Sequence, residues 1–378
     1  MDELSTVDVG MLGYGFMGRA HSNALRAIPH VYGPDTVAPR LLSIAGRNPD
    51  AVTAAARRFG FAETVTDWRQ LTDDPRVDLF DNTGPNDVHA EATIAAAQAG
   101  KHVLCEKPLA RSAEEALRMW EAVAAAGVVH MCGFNYRFVP AVALARQIVA
   151  AGEIGEIVHF RASYLQDWLV DESLAGLWRL DGSVAGSGAL GDLGAHIIDL
   201  GRYLAGEIEA VSGAVQTFTP ERDGVPVTVD DAFAATVRFA NGAIGTLEAS
   251  RSCPGRKNAL RFELNGTRGS LAFDLERLNE LAHSDGDAGF RTVLVTDAEA
   301  PFMREWWPAG HIIGWEHSFI HEMRHLLAAI AGQASVAPLG ATFEDGYRAA
   351  EVCDAISRSA ETAEHVSIDY RDITEQVL

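Results

Sequence analysis

Apolar residues fall into short blocks separated by helical stretches through the first third of the chain. Val7–Leu12 is a strand-like block, a glycine-rich turn follows, a helical pattern runs through Ile28, and Arg40–Ala45 is the next block. Asn48 followed by Pro49 supplies a cap and a first-turn proline for a helix through Phe59. Val77–Asn82 and His102–Glu106 predict later strands separated by a helix over 87–99; a helix over 112–126 and a strand over Val128–Phe134 complete the series. Strands that alternate with helices in this way predict a parallel sheet covered on both faces, which takes its ligands beyond the carboxyl ends of the strands.

Beyond residue 137 the pattern changes. Ile157–Leu165, Val211–Thr219, Ala232–Phe239, Ala243–Ser250, Leu260–Leu264 and Ser270–Leu275 follow one another as longer strands, with Asn241-Gly242 and Asn265-Gly266 read as tight turns. This sheet is expected to be largely antiparallel. Helices over 192–204, 315–331 and 343–361 are expected to cover one face, leaving the other to a partner subunit or to a substrate cleft. Two units result: a nucleotide-binding unit over 1–137 and a substrate-binding and oligomerisation unit over 138–378.

The length of 378 residues and a hydrophobic fraction of 48% suit two packed domains. With 31 Lys+Arg against 52 Asp+Glu, the formal charge of −21 disfavours nucleic-acid and anionic membrane partners. Cys105, Cys132, Cys253 and Cys353 show no CxxC spacing, which argues against a thiolate zinc site or a disulfide framework and for a reducing, cytoplasmic setting. The acidic start Met1, Asp2 and Glu3 gives no sign of a signal peptide, and no apolar run reaches the ~18 residues of a membrane span.

Gly13, Gly15 and Gly18 form GxGxxG, with Phe16 and Met17 inside it, between a predicted strand and a predicted helix. In that context Gly13 permits the turn, Gly15 admits a pyrophosphate, Gly18 lets helix pack on strand, and the helix N-terminus favours the anion. The tip of the second strand reads Ala45-Gly46-Arg47-Asn48. No carboxylate stands there to hold a ribose diol, and Gly46 with Arg47 tilts the cofactor from NAD towards NADP, unless Arg47 only stacks on adenine or faces water.

Asn86 and His89, then Glu106, Lys107 and Pro108, then Asn135, Tyr136 and Arg137 fall at later strand ends, where ligand is expected. Lys107 stands at a strand tip, placed to polarise a hydroxyl oxygen. Asp192, His196 and Asp199 are spaced for one helix face, which combines an acid-base imidazole with carboxylates or makes a surface ion pair. His321-Glu322-Met323-Arg324-His325 matches the HExxH zinc pattern, with His317 extending it, but Phe319, Ile320, Met323, Leu326 and Ile330 give that helix an ordinary apolar face, so no metal is expected.

The glycine fingerprint, the Glu106-Lys107-Pro108 triplet and the Asp192-x-x-x-His196 pair together resemble the Gfo/Idh/MocA oxidoreductase family, over the whole chain. The resemblance implies an N-terminal Rossmann parallel sheet followed by an α+β domain with a large, mostly antiparallel open sheet, an α/β fold overall. It implies that Lys107, Asp192 and His196 are catalytic: His196 takes the substrate hydroxyl proton, Asp192 tunes it, and Lys107 polarises the oxygen as hydride leaves for nicotinamide C4. Gly13, Gly15, Phe16, Met17, Gly18, Arg47, Asn86, His89 and Glu106 are then expected to bind NAD or NADP. The family's usual acidic residue after the second strand is missing here.

Tyr164-Leu165-Gln166-Asp167-Trp168 and Ser183–Asp192 further resemble the levoglucosan dehydrogenase branch and relatives that oxidise the C3 hydroxyl of glucosides. Asn135, Tyr136, Arg137, Gln166 and Trp168 are then expected to line a sugar site, with Trp168 equally suited to a core. The expected activity is oxidation of a secondary hydroxyl of a sugar, glycoside or anhydrosugar, by a homodimer or homotetramer formed through the second sheet. Alternatives on the same scaffold are an inositol-type polyol dehydrogenase, an NAD-dependent glycosidase working by oxidation and elimination, and a sugar-binding repressor. The complete Lys107, Asp192 and His196 set speaks against the last.

Overall fold

The computed structural model describes residues 6–171 and 173–373, so the acidic start Met1, Asp2 and Glu3 lies outside the described residues. Its first part alternates β1 (Thr6–Leu12), α1 (Phe16–Tyr32), β2 (Ala38–Ala45), α2 (Pro49–Phe59), β3 (Glu63–Val65), α3 (Arg69–Asp73), β4 (Leu79–Asn82), α4 (His89–Gln98), β5 (His102–Cys105), α5 (Ala113–Ala126) and β6 (His130–Cys132). The strands form one parallel sheet in the order β3-β2-β1-β4-β5-β6. The order reverses between β1 and β4, which opens a crevice at their carboxyl ends.

The apolar blocks became strands because the sheet buries both faces: every residue of β1 after Thr6 is buried. Asn48 caps α2 as its sequence implies, its side chain accepting from the Ala51 N–H at 3.0 Å, and Ser112 caps α5 in the same manner. β3 left no apolar signature, because this three-residue edge strand is mostly exposed. The strand expected over Val128–Phe134 pairs only over His130–Cys132.

The second part contains α6 (Pro140–Ala150), β7 (Ile157–Leu165), the short α7 (Gly182–Ala185), α8 (Ala195–Ala205), β8 (Ile208–Gln216), the small hairpin β9 (Glu221–Arg222) and β10 (Val225–Pro226), β11 (Ala232–Phe239), β12 (Ile244–Ser250), β13 (Ala259–Gly266), β14 (Ser270–Asp274), β15 (Glu280–Ser284), β16 (Arg291–Leu294), α9 (Glu316–Ile330), α10 (Phe343–Thr362) and β17 (Val366–Ser367). A nine-stranded sheet runs β16-β15-β14-β13-β7-β12-β11-β8-β17, antiparallel throughout except for the parallel pair β7 and β12. β11 shows why these strands were legible: Phe233, Ala235, Val237 and Phe239 turn inward while their neighbours face solvent. No helix among the described residues is long and apolar enough to cross a membrane.

Two expectations are corrected here. The helix over 315–331 does not cover the second sheet: α9 packs Phe319, Ile320, Met323, Leu326 and Leu327 into one core with Val9, Leu25, Ile28 and Leu104 of the first unit. Amphipathicity shows that a helix has a buried face, not which sheet meets it. This return of the chain also places Trp315 and Phe319 in the wall of the crevice. Asn241-Gly242 does turn between β11 and β12, Gly242 having φ 89°, but Asn265-Gly266 belongs to β13, and the reversal follows at 267–269. Gly266 serves close approach instead, since a Cβ there would lie 2.1 Å from the Ile154 carbonyl oxygen.

Candidate active site

A cleft of about 1000 Å³ runs from the glycine turn after β1, past the tips of β4 and β5, to the first turns of α8 and the edge of the second sheet. At its dinucleotide end the three glycines divide their roles. Gly13 has φ 102° and no room for a side chain, a Cβ falling 2.8 Å from the Thr83 carbonyl oxygen; a Cβ on Gly18 would meet the Gly13 oxygen at 2.4 Å. Gly15 meets nothing within 4 Å and opens into the cleft, at an α1 N-terminus that no side chain caps. Unpaired N–H groups facing open space fit an anionic pyrophosphate.

Phe16 is exposed and stacks on Trp315 at 5.5 Å, and Met17 lies beside it. The room that Gly46 leaves is taken by the Tyr14 ring, whose nearest carbon lies 2.0 Å from where a Cβ would stand, while Arg47 is exposed at the rim. Asn86 lines the cleft, yet its amide donates to the Ala185 carbonyl at 2.8 Å and so ties α7 to the first unit. His89 is a strut: its ring nitrogens meet the carbonyls of Pro108 at 3.0 Å and Gly84 at 3.1 Å, which leaves neither for a ligand.

Glu106 lines the cleft while holding a buried network beneath it. One of its oxygens accepts from His21 Nε2 at 2.8 Å, the other from the Lys107 backbone N–H at 3.1 Å, and His21 Nδ1 lies 2.9 Å from Asp81. Burial alone would lower the His21 imidazole, but Asp81 and Glu106 outweigh it and hold it well above its ordinary value.

Lys107, Asp192 and His196 converge at the middle of the cleft. Lys107 Nζ donates to both the backbone oxygen and Oδ1 of Asp192, each at 2.9 Å. Asp192 lies in a π-helical turn, Leu190–Gly194, that precedes α8, so the regular helix expected from 192 begins only at Ala195. Burial pushes the Asp192 carboxyl up, but Lys107 and Arg251 outweigh it and hold it far below the usual carboxylate range. Burial, with the Lys107 charge adding to it, holds His196 well below its ordinary value, so its imidazole is neutral. Its ring packs 4.5 Å from that of Tyr136.

Arg137 and Asp199, expected with the site, are not in it. Asp199 accepts from Arg137 Nε at 2.9 Å and Nη2 at 2.5 Å, both groups are buried, and neither lines the cleft. A pair of this kind is legible as two charges but not as a contact, because the residues are distant in sequence. Asn135 lines the cleft with its amide donated to Ser318 Oγ at 2.8 Å.

The half of the cleft nearer the second sheet is bounded by a hydrogen-bond chain of fixed direction. Trp168 Nε1 donates to Gln166 at 2.9 Å, Gln166 Nε2 to Asn258 Oδ1 at 2.7 Å, and the Tyr164 hydroxyl to the same oxygen at 2.7 Å. Tyr164 thereby turns its oxygen to the Tyr136 hydroxyl, which donates at 2.8 Å. Sequence reasoning missed Tyr164, Trp178, Arg179, Arg251 and Asn258 as lining residues. Arg251 and Asn258 flank the loop between β12 and β13, and only sheet order brings that loop beside β7.

The HExxH residues point apart. His321 Nε2 accepts from Trp306 at 2.7 Å, His325 Nε2 meets the Val336 carbonyl at 2.9 Å, and the Glu322 side chain is fully buried with no hydrogen-bond partner among the described residues. Among the described residues no group of three or more His, Cys, Asp or Glu side chains is arranged to hold a metal ion.

Residues 7–134 match an oxidoreductase family with an NAD-binding Rossmann fold, and residues 142–272 match the GFO/IDH/MocA C-terminal domain. Levoglucosan dehydrogenase of Pseudarthrobacter phenanthrenivorans is 44% identical over 381 residues, covering 94% of this chain and 97% of that one. The scyllo-inositol 2-dehydrogenase (NAD(+)) of Bacillus subtilis is 30% identical over 267 residues, 70% of this chain and 73% of its own. The solved structure of levoglucosan dehydrogenase in complex with NADH and levoglucosan superposes with a TM-score of 0.93 at 45% identity, covering 97% of this chain and all of that one.

Proposed function

The chain belongs to the Gfo/Idh/MocA oxidoreductase family, and from that premise we propose that it oxidises the C3 hydroxyl of a sugar, glycoside or anhydrosugar to a ketone. The observation that carries this reading is the meeting of Lys107, Asp192 and His196 in one cleft with the open Gly15 turn. When bound, the nicotinamide cofactor supplies the hydride acceptor. Gly15 and the N-terminus of α1 would hold its pyrophosphate, and Glu106, in the cleft wall beside Lys107, would meet its nicotinamide part. The missing carboxylate after β2 and the exposed Arg47 favour acceptance of NADP as well as NAD.

In this mechanism Lys107 places its positive charge on the substrate oxygen and lowers the hydroxyl pKa, and His196 takes the proton. His196 is neutral and so ready to accept; its depressed basicity makes the Lys107 charge necessary. Asp192, held ionised by two cations, is too weak a base to compete and fixes the Lys107 ammonium instead. The Asn258 amide nitrogen stays available to sugar hydroxyls, and Trp168 and Trp178 offer faces to C–H surface.

Levoglucosan, methyl glucosides and inositols tested with NAD and NADP, following both reduced cofactor and product identity, examine this reading. Ketone formation with stoichiometric cofactor reduction on a glucoside or anhydrosugar is the expected result. Preference for inositols moves the substrate class to polyols, and sugar release without net reduction replaces the reading with an oxidation-elimination glycosidase.

We also read the chain as a nucleotide unit over 1–137 and a substrate unit over 138–378, cytoplasmic in keeping with its four free cysteines. The outer face of the second sheet, bearing Arg161, Thr236 and Glu248, is read as the contact of a homodimer or homotetramer.

A further inference from the structure

The Asp192 carboxylate has a second cationic partner besides Lys107. Arg251 follows β12 directly, is 1% exposed, and donates from Nη2 to Asp192 Oδ2 at 2.9 Å. The two oxygens of Asp192 are therefore divided, Oδ1 to Lys107 and Oδ2 to Arg251. Arg251 is itself held: Nη1 reaches the Arg179 carbonyl at 3.4 Å, and its guanidinium lies 5.3 Å from the Trp168 ring.

We propose that Arg251 is a positioning residue of the catalytic site, gripping Asp192 through Oδ2 so that Oδ1 keeps the Lys107 ammonium aimed at the substrate oxygen. The inference rests on the proposed roles of Lys107 and Asp192. A half-buried carboxylate with one cationic partner is free to rotate and is pushed towards its neutral form by partial desolvation; a second charge-assisted hydrogen bond opposes both. The groups that face Asp192 are Lys107 after β5, Arg251 after β12, Arg179 before α7, His196 on α8 and Tyr164 on β7. Among the described residues only Lys107 and Arg251 hydrogen-bond its carboxylate. Losing Arg251 removes one of the two contacts that keep the carboxylate ionised, and a protonated Asp192 no longer fixes a charged Lys107.

The test compares Arg251→Met and Arg251→Lys with the wild type. In Arg251→Met the acid limb of kcat should move up by about one pH unit or more. Arg251→Lys should restore it in large part, and NADH binding, read by fluorescence, should persist in both. Infrared difference spectra give a reading that needs no substrate: on acidification a protonated-carboxyl band should grow in at higher pH in Arg251→Met than in the wild type, and vanish when Asp192→Asn is added. That band separates failure of this inference from failure of the sugar-oxidation reading. An unmoved acid limb without that shift of the band, whether accompanied by lower thermal stability alone or by a raised sugar KM alone, overturns the proposal. The first of those outcomes makes Arg251 structural, and the second makes it a direct substrate contact.

Discussion

His21 Nε2 lies 2.8 Å from Glu106 Oε1, and this buried contact ties the helix after the glycine turn to the strand tip that carries Lys107. Asp81 faces the other ring nitrogen. Ionised carboxylates only accept hydrogen bonds, so both ring nitrogens donate and the ring is an imidazolium. His21→Gln removes the cation between two buried anions and should cost about 3 kcal/mol of stability. Because the folded-state pKa of His21 is raised, its contribution is full below the unfolded value of about 6.5 and is lost as pH rises through the folded value. Unfolding followed from neutral to alkaline pH should show the gap between wild type and variant shrinking; a gap that widens with pH would contradict the imidazolium.

His196→Ala should lower kcat by about 10²- to 10⁴-fold and leave NADH binding intact, as expected for loss of a general base. Unchanged turnover removes His196 from the mechanism.

Lys107→Met should lower kcat to a similar degree, about 10²-fold or more, while dinucleotide affinity persists. A change confined to cofactor Kd would instead assign Lys107 to cofactor binding.

Two glycines should separate cofactor binding from packing. A methyl group at Gly15 points into open cleft, so Gly15→Ala should keep its melting temperature and bind NADH more weakly. At Gly18 the same methyl meets a carbonyl oxygen at 2.4 Å, and Gly18→Ala should lose both stability and binding. Equal melting temperatures for the two variants would refute this division.

Arg137→Met leaves Asp199 buried without its partner and should cost about 3–5 kcal/mol in denaturant unfolding. Sugar KM should hardly change, whereas a large rise in KM with unaltered stability would return Arg137 to the substrate site.

Legibility varied with the range of the interaction. β11 was read with its bounds, Ala232–Phe239, because an antiparallel strand with one dry face carries its own period of two. α2 was read from one capping residue and one proline. β3 was missed because a short edge strand buries too little to leave a pattern. In the site, Lys107, Asp192 and His196 were recognisable from local motifs and meet as expected, but Asp199 and Arg137 left the group for a core ion pair. His89 lines the cleft with both ring nitrogens against backbone carbonyls, contacts that no local pattern announces.

The sequence by itself determined the alternating elements, the glycine turn and the identity of the groups able to move a proton, because periodicity, capping and positive φ act within a few residues. Tertiary structure decided that α9 covers the first sheet, that Tyr14 fills the space over Gly46, that His21 bridges Asp81 and Glu106, and that Arg251 grips Asp192. Each of these joins residues far apart along the chain, and their contact depends on strand order and helix packing rather than on any local preference.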